Sequence, residues 1–168
     1  MFFAKIDAPI GPLNVVSDGE SIVGLQLPTH RGELARVASG WAENPALPVL
    51  RDVADQLEEY FAGERAEFTL PLRPAGTEFQ LKVWDQLCRI PFGKTISYGE
   101  LAKRVGNMNA SRAVGMANGR NPIAILIPCH RVIGADGSLT GFGGGVDVKQ
   151  KLLVLEGAKT ASTLFANV

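Results

Sequence analysis

Residues Arg73-Pro74-Ala75-Gly76 divide the chain into two stretches of different periodicity, a break that constrains the fold more than any other feature. Before it, Phe2–Ile6, Leu13–Ser17 and Ile22–Leu27 are short apolar or β-branched runs. Pro9, Gly11, Pro12 and Gly19 punctuate them, the pattern of strands joined by tight turns. Leu50, Val53, Ala54, Leu57, Tyr60 and Phe61 then recur on one helical face, with Gly63 as the stop. Phe68–Leu72 reads as one more strand of the same sheet. Beyond the break the helical period dominates. The expected fold class is therefore α+β: a small N-terminal α/β domain with an antiparallel sheet over residues 1–75, then a mainly helical domain over 76–168 containing a helix-turn-helix.

The 168 residues carry 17 basic and 17 acidic side chains, a net charge of zero that by itself suggests no nucleic-acid partner. Its distribution says otherwise. Residues 1–76 hold 6 Lys/Arg against 11 Asp/Glu, a balance of −5, and residues 77–168 hold 11 against 6, a balance of +5. The second half alone is suited to face something anionic. Two cysteines are too few for a disulfide scaffold or a four-cysteine zinc site. Lys5 and Asp7 interrupt the N-terminal stretch, which does not read as a signal peptide. The densest apolar run, Ile123–Ile127, has five residues, and a membrane span needs about 20. A cytoplasmic protein with no membrane association is expected, its cysteines either inert core residues or reactive thiols.

In the second half, Thr77-Glu78-Phe79-Gln80 has capping-box spacing, with Phe79, Val83, Trp84 and Leu87 on one face of the helix it opens. Ser97-Tyr98-Gly99-Glu100 is a second such box, starting a helix through about Val105. After Gly106-Asn107-Met108-Asn109, a third helix covers roughly Ala110–Asn118. Two short helices around such a turn have helix-turn-helix spacing, which compact helical domains that never meet DNA also show. The last of these helices is unusually bare. Ala110, Ser111, Ala113, Gly115, Ala117 and Gly119 are small, and Arg112 is the one long reaching group. Close packing against a neighbour and close approach to a grooved partner both account for it.

The chemistry concentrates in Ile125-Leu126-Ile127-Pro128-Cys129-His130-Arg131-Val132-Ile133, read as a buried strand ending at Pro128 with reactive residues beyond. A free thiol has a pKa of about 8.5 and needs a cation or a histidine to become a nucleophile at neutral pH. Cys129 has both beside it. Neighbours in a regular strand point to opposite faces, so His130 can serve Cys129 only where the chain leaves strand geometry. Cys88, among the apolar residues of the Phe79–Leu87 helix, reads as core. Downstream, Thr140–Gly145 is a bare-backbone loop suited either to a phosphate or to closing over a base-sized pocket. Asp147 offers a cap to a last helix with Leu152, Leu153 and Leu155 inside. Glu156, at that helix's C-terminus, opposes the macrodipole, so either a partner holds it or it is simply solvated at the surface.

Ile127-Pro128-Cys129-His130-Arg131-Val132, preceded by Arg112-Ala113-Val114-Gly115 and Asn121-Pro122 and followed by the Gly141–Gly145 loop, strongly resembles the O6-alkylguanine-DNA alkyltransferases. The resemblance extends through Thr77–Gln80, Val83-Trp84, Ile90-Pro91 and Ser97-Tyr98 and back to Pro9–Leu13. It implies direct, irreversible, single-turnover repair. Cys129 would take an alkyl group from O6 of guanine, or from O4 of an alkylated thymine, in duplex DNA. Glu156 and His130, acting through a water, would make Cys129 a thiolate. Asn121 resembles the family's hinge asparagine, and Tyr98 would donate its hydroxyl proton to the extruded base. Tyr98, Phe142, Gly143 and Val132 would form the pocket. Ala110, Ser111, Ala113 and Gly115 would lie in the minor groove with Arg112 entering the stack, which favours the close-approach account of this helix.

Where the family usually has Tyr, this chain has Phe142, so one hydroxyl is missing from the pocket wall. Some relatives carry a zinc near the N-terminus. His30 has no cysteine nearby, so neither a metal nor a cofactor is expected. At this length no separate N-terminal regulatory domain is expected. The resemblance implies a monomer, with cooperative assembly on DNA as a further option. Two other functions compete. A lesion sensor bound in the minor groove would keep Arg112 but need no reactive cysteine. A cysteine hydrolase would use Cys129 and His130 and ignore DNA.

Overall fold

A computed structural model describes residues 1–28 and 36–158; His30 lies outside them. The chain forms two compact units, one of Met1–Ala75 with Pro122–Leu126 and the other of Gly76–Asn121 with Ile127–Val168.

In the first unit, β1 (Phe2–Ala8), β2 (Gly11–Ser17), β3 (Ile22–Gln26) and β4 (Ala42–Glu43) form one sheet in the order β3-β2-β1-β4. The three long strands are antiparallel, and Ala8 pairs with Gly11 across a two-residue turn. The short β4 adds in parallel to β1. Helix α1 (Pro48–Phe61) packs on β1 and β2. Pro48 starts it, where a missing N–H costs nothing. Val49, Leu50, Val53, Leu57 and Tyr60 are its buried stripe, and fully burying each aliphatic side chain contributes about 1.5–3 kcal/mol.

The expected strand Phe68–Leu72 is not formed. Leu72 makes a single parallel bridge to Ile22, because Pro71 and Pro74 carry no N–H with which to extend a ladder. The expected strand through Ile127 is also absent. Ile123 bridges Leu25, Leu25 N–H donates to the Pro122 carbonyl (2.9 Å), and Ala124 N–H donates to the Leu25 carbonyl (3.2 Å). The chain then turns, with Leu126 N–H on the Ala124 carbonyl at 2.8 Å and Ile125 at φ +71°. A β-branched residue in that region is strained, and its near-complete burial (1% exposed) offsets the cost.

The second unit holds α2 (Glu78–Cys88), β5 (Ile96–Ser97), α3 (Tyr98–Arg104), α4 (Ser111–Gly119), β6 (Val132–Ile133) and α5 (Val146–Leu155). The Thr77 capping box forms with both of its hydrogen bonds. At Ser97 only half forms: the hydroxyl accepts from Glu100 N–H, while the Glu100 carboxylate turns to Arg104 one turn on. Trp84 Nε1–H donates to the Ala117 carbonyl (2.8 Å) and ties α2 to α4. The buried stripe of α2 is Val83, Trp84 and Leu87, starting in its second turn. Phe79, in the first turn, is 38% exposed. Cys88 is exposed rather than core, being the residue after Leu87 and so about 100° round the helix from the stripe. The α5 N-cap is Gly145, so Asp147 supplies first-turn charge and not a cap. No described helix is long and apolar enough to cross a membrane.

Candidate active site

The chain leaves strand geometry where the chemistry requires it. Cys129–Arg131 is a single 3-10 turn, and Pro128 precedes it with φ −81° and ψ 64°. Cys129, His130 and Arg131 are all buried. After the turn Val132 and Ile133 pair in parallel with Ile96 and Ser97, and Tyr98, the first residue of α3, directly follows this two-residue ladder and feels the charge of Cys129.

His130 Nε2 lies 2.8 Å from Glu156 Oε1, with both side chains fully shielded from solvent. Burial pushes the Glu156 carboxyl upward, but hydrogen bonds and positive charge from His130 and Arg131 outweigh it and hold its pKa at about 2. The carboxylate is therefore an acceptor and Nε2 carries the imidazole proton. Nδ1, buried without a hydrogen-bond partner among the described residues, keeps an open lone pair. Arg131 grips the same carboxylate through both oxygens, Nε to Oε2 and Nη2 to Oε1, each at 2.9 Å. Its Nη1 donates to the Ile90 carbonyl at 2.7 Å. Gly93 passes so close that an added Cβ would lie 2.9 Å from the Glu156 carbonyl, and its φ of +76° also favours glycine.

Asn121 donates from Nδ2 to the Ile127 carbonyl (2.7 Å), and Asn118 Nδ2 to the Cys129 carbonyl (3.3 Å). Burial pushes the Cys129 thiol up. The Asn121 side chain, the charge of Lys149, and the amides of Cys129 and His130 pull in the opposite direction without overcoming it. The resting thiol is thus protonated and needs a base. His130 is suited to be one. Burial pushes its pKa down, Arg131 and Lys149 add to that, and Glu156 opposes it.

Tyr98 donates its hydroxyl to the Thr140 carbonyl (3.1 Å), and burial pushes its pKa up, so it stays a proton donor. Gly141, at φ +64°, runs close enough that a Cβ would sit 3.4 Å from that hydroxyl. Phe142 is half-buried, Gly143 is exposed with open space where a Cβ would stand, and Val132 is fully buried. On α4, Arg112 and Ala113 are exposed, while Ala110, Ser111 and Gly115 are half-buried. A Cβ at Gly115 would make ordinary contact with the Tyr98 ring (3.7 Å), and one at Gly119 would meet nothing. Packing within the unit therefore does not require this helix to be so bare.

Three groups escape a reading of sequence: the grip of Arg131 on Glu156, the Asn118 amide, and Lys149. The last is fully buried, with Nζ on the carbonyls of Val132 (2.5 Å) and Thr140 (3.0 Å), and burial lowers its pKa to about 8. The available signal is that Lys149, Leu152, Leu153 and Glu156 share one helical stripe, with polar residues at both ends of it. Among the described residues no cluster of three or more His, Cys, Asp or Glu is arranged to hold a metal ion.

Two family models match the chain, the ribonuclease-like domain of 6-O-methylguanine DNA methyltransferase over residues 1–74 and its DNA-binding domain over residues 78–158. The chain is 49% identical over 158 residues to a methylated-DNA–protein-cysteine methyltransferase of Methanosarcina acetivorans, covering 94% of this chain and 99% of the relative. It is 49% identical over 163 residues to that of Mycobacterium leprae, covering 96% of each. Among solved structures it is similar to Mycobacterium tuberculosis OGT in complex with DNA, with a TM-score of 0.85 at 46% identity over 98% of this chain and 99% of that one. An O6-methylguanine DNA methyltransferase from Methanococcus jannaschii gives 0.67 at 30% identity, over 94% and 95%.

Proposed function

The chain belongs to the 6-O-methylguanine DNA methyltransferase family, and from that premise we propose a residue-level course for its reaction. It is a DNA-binding methyltransferase of direct repair, which moves the alkyl group onto a cysteine of its own in a single turnover. Cys129 is that cysteine, and alkylated guanine in duplex DNA is the substrate. The observation that carries this reading is the buried thiol on a 3-10 turn, next to a histidine whose far nitrogen is fixed by an ionised carboxylate.

O6 of a stacked guanine is out of reach of a buried thiol, so the base must be extruded, at a cost of a few kcal/mol. Arg112, exposed on the bare face of α4, enters the stack and offsets part of that cost. His130 takes the thiol proton at Nδ1 through a bridging water. The sulfur then attacks the alkyl carbon, the C–S bond forms as the C–O6 bond breaks, and the electron pair leaves on guanine. Tyr98 gives that base a proton and regains one from the site, so the proton lost by the thiol ends on guanine. Phe142 supplies an apolar wall for the base. The bond from Asn121 to Ile127 keeps the chain on either side of Pro122–Leu126 pinned close to Cys129.

The test is intact mass after incubation with a duplex containing O6-methylguanine. Uptake of one methyl group, about 14 Da, on the peptide holding Cys129 is the expected result. A bound lesion duplex without an adduct would make the protein a sensor, and repeated turnover of an ester would make it a hydrolase. Arg112→Ala is expected to slow repair of the duplex by about 10- to 100-fold, while reaction with the free modified base changes less than about twofold, because only extrusion is affected. Equal losses on both substrates would remove Arg112 from that role.

A further inference from the structure

Beside His130 the relay contains a permanent cation that the proton transfer itself does not use. Arg131 is only 6% exposed, yet its guanidinium takes no part in moving the proton. We infer that Arg131 is a positioning residue that keeps His130 uncharged: by supplying the counter-charge to Glu156, it spares the imidazole from doing so and leaves Nδ1 free to accept the thiol proton. This rests on His130 being the base for Cys129.

The argument is one of charge balance in a dry site. A buried carboxylate needs one positive partner. If Glu156 had only His130 at 2.8 Å, the pair would meet that need by protonating the imidazole, and an imidazolium accepts no proton from a thiol. The bidentate guanidinium meets it instead. The other charged group facing this cluster, Lys149 on α5, also opposes a charge on His130. Phe92, whose ring centroid lies 5.9 Å from the guanidinium carbon, and the Ile90 carbonyl hold Arg131 from the α2 side, so it cannot swing away.

The chain has two histidines, so nitrogen-15 imidazole spectra are simple to assign with a His130→Gln reference. The expected wild-type signal for His130 is the neutral tautomer protonated at Nε2 across pH 6–8; an imidazolium at pH 7 overturns the inference. Arg131→Lys keeps a positive charge and is expected to keep His130 neutral. Arg131→Gln can still hydrogen-bond Glu156 but brings no charge, so His130 takes up the proton. Its transfer rate at pH 7 falls by about 100-fold and recovers as pH rises towards 9, because the active neutral form now appears only above a raised pKa. The sign for stability is opposite. A raised folded-state pKa adds stability below it that is lost on going above, so Arg131→Gln should be more stable at pH 6 than at pH 8. An Arg131→Gln variant with unchanged His130 protonation, or one unfolded at every pH from 6 to 8, overturns the inference. These spectra do not depend on alkyl transfer. Failure of Cys129 to take up methyl would therefore sink the reaction scheme while leaving the Arg131–His130 coupling to be judged on its own.

Discussion

Cys129→Ala will bind a duplex containing O6-methylguanine and leave the methyl group on the base. In the proposed scheme the thiol is the nucleophile and the groups around it serve to move its proton, so its removal is expected to reduce transfer to zero rather than to slow it. The fold should survive. Losing one sulfur atom from a side chain that is 5% exposed leaves a small cavity, worth about 1 kcal/mol. Binding measured by fluorescence anisotropy should stay within about threefold of wild type, since Arg112 and the bare face of α4 are untouched. Intact mass should not change even after long incubation. An adduct on exposed Cys88 in this variant would show that the wild-type assignment had been made to the wrong thiol.

Glu156→Ala has the second largest effect, on rate and stability together. It strands the Arg131 guanidinium in a dry site, which costs about 3–5 kcal/mol and, in a chain of this length, on the order of 10 °C in Tm. It also frees the imidazole to rotate and removes the acceptor that fixes the proton on Nε2, so transfer should fall by about 10²- to 10⁴-fold. The wild-type acid limb follows from the same group. Glu156 drops from an ordinary 4.5 to about 2 on folding, so it contributes stability above pH 4.5, on the order of 3 kcal/mol, that is lost as pH falls towards 2. Acid unfolding followed by circular dichroism should therefore show less dependence on pH between 4.5 and 2 in Glu156→Ala than in wild type. Equal slopes would mean that other carboxylates govern this limb.

The helices were legible from their apolar stripes and capping residues, and the first three strands from apolar runs of five to seven residues bounded by Pro and Gly. The Thr77 box, the α1 stripe and the helix pair around Gly106 are of this kind. The short β5–β6 pairing was not legible, since two-residue strands have no period. Phe68–Leu72 misled because apolar content suggested a strand, whereas the prolines in and beyond it decide how far a ladder extends. A partner for Glu156 was legible as one of two options, through the charge at the wrong end of a helix, but its identity was not. His130 and Arg131 reach one carboxylate because a 3-10 turn sets consecutive side chains about 120° apart instead of on opposite faces as a strand would. Lys149 was hidden by the habit of reading lysine as surface. Cys88 was misplaced because apolar sequence neighbours on a helix are not spatial neighbours.

The Pro122–Leu126 segment has a consequence for the order in which this chain can be completed on the ribosome. When residue 75 emerges, the four described strands of the first unit and its helix α1 are present, yet Leu25 still lacks the carbonyl of Pro122 and the amide of Ala124. That flank of β3 stays open until nearly fifty further residues have been made. An open strand edge invites pairing with other chains, so synthesis passes through a period in which the nascent unit is sticky. A fragment ended at residue 75 would keep that edge permanently. A fragment begun at residue 76 would carry Ile123, Ala124 and Ile125 without the β3 edge that buries them. Separate expression of either half should therefore give aggregation-prone material, whereas supplying both halves together gives each the piece the other lacks.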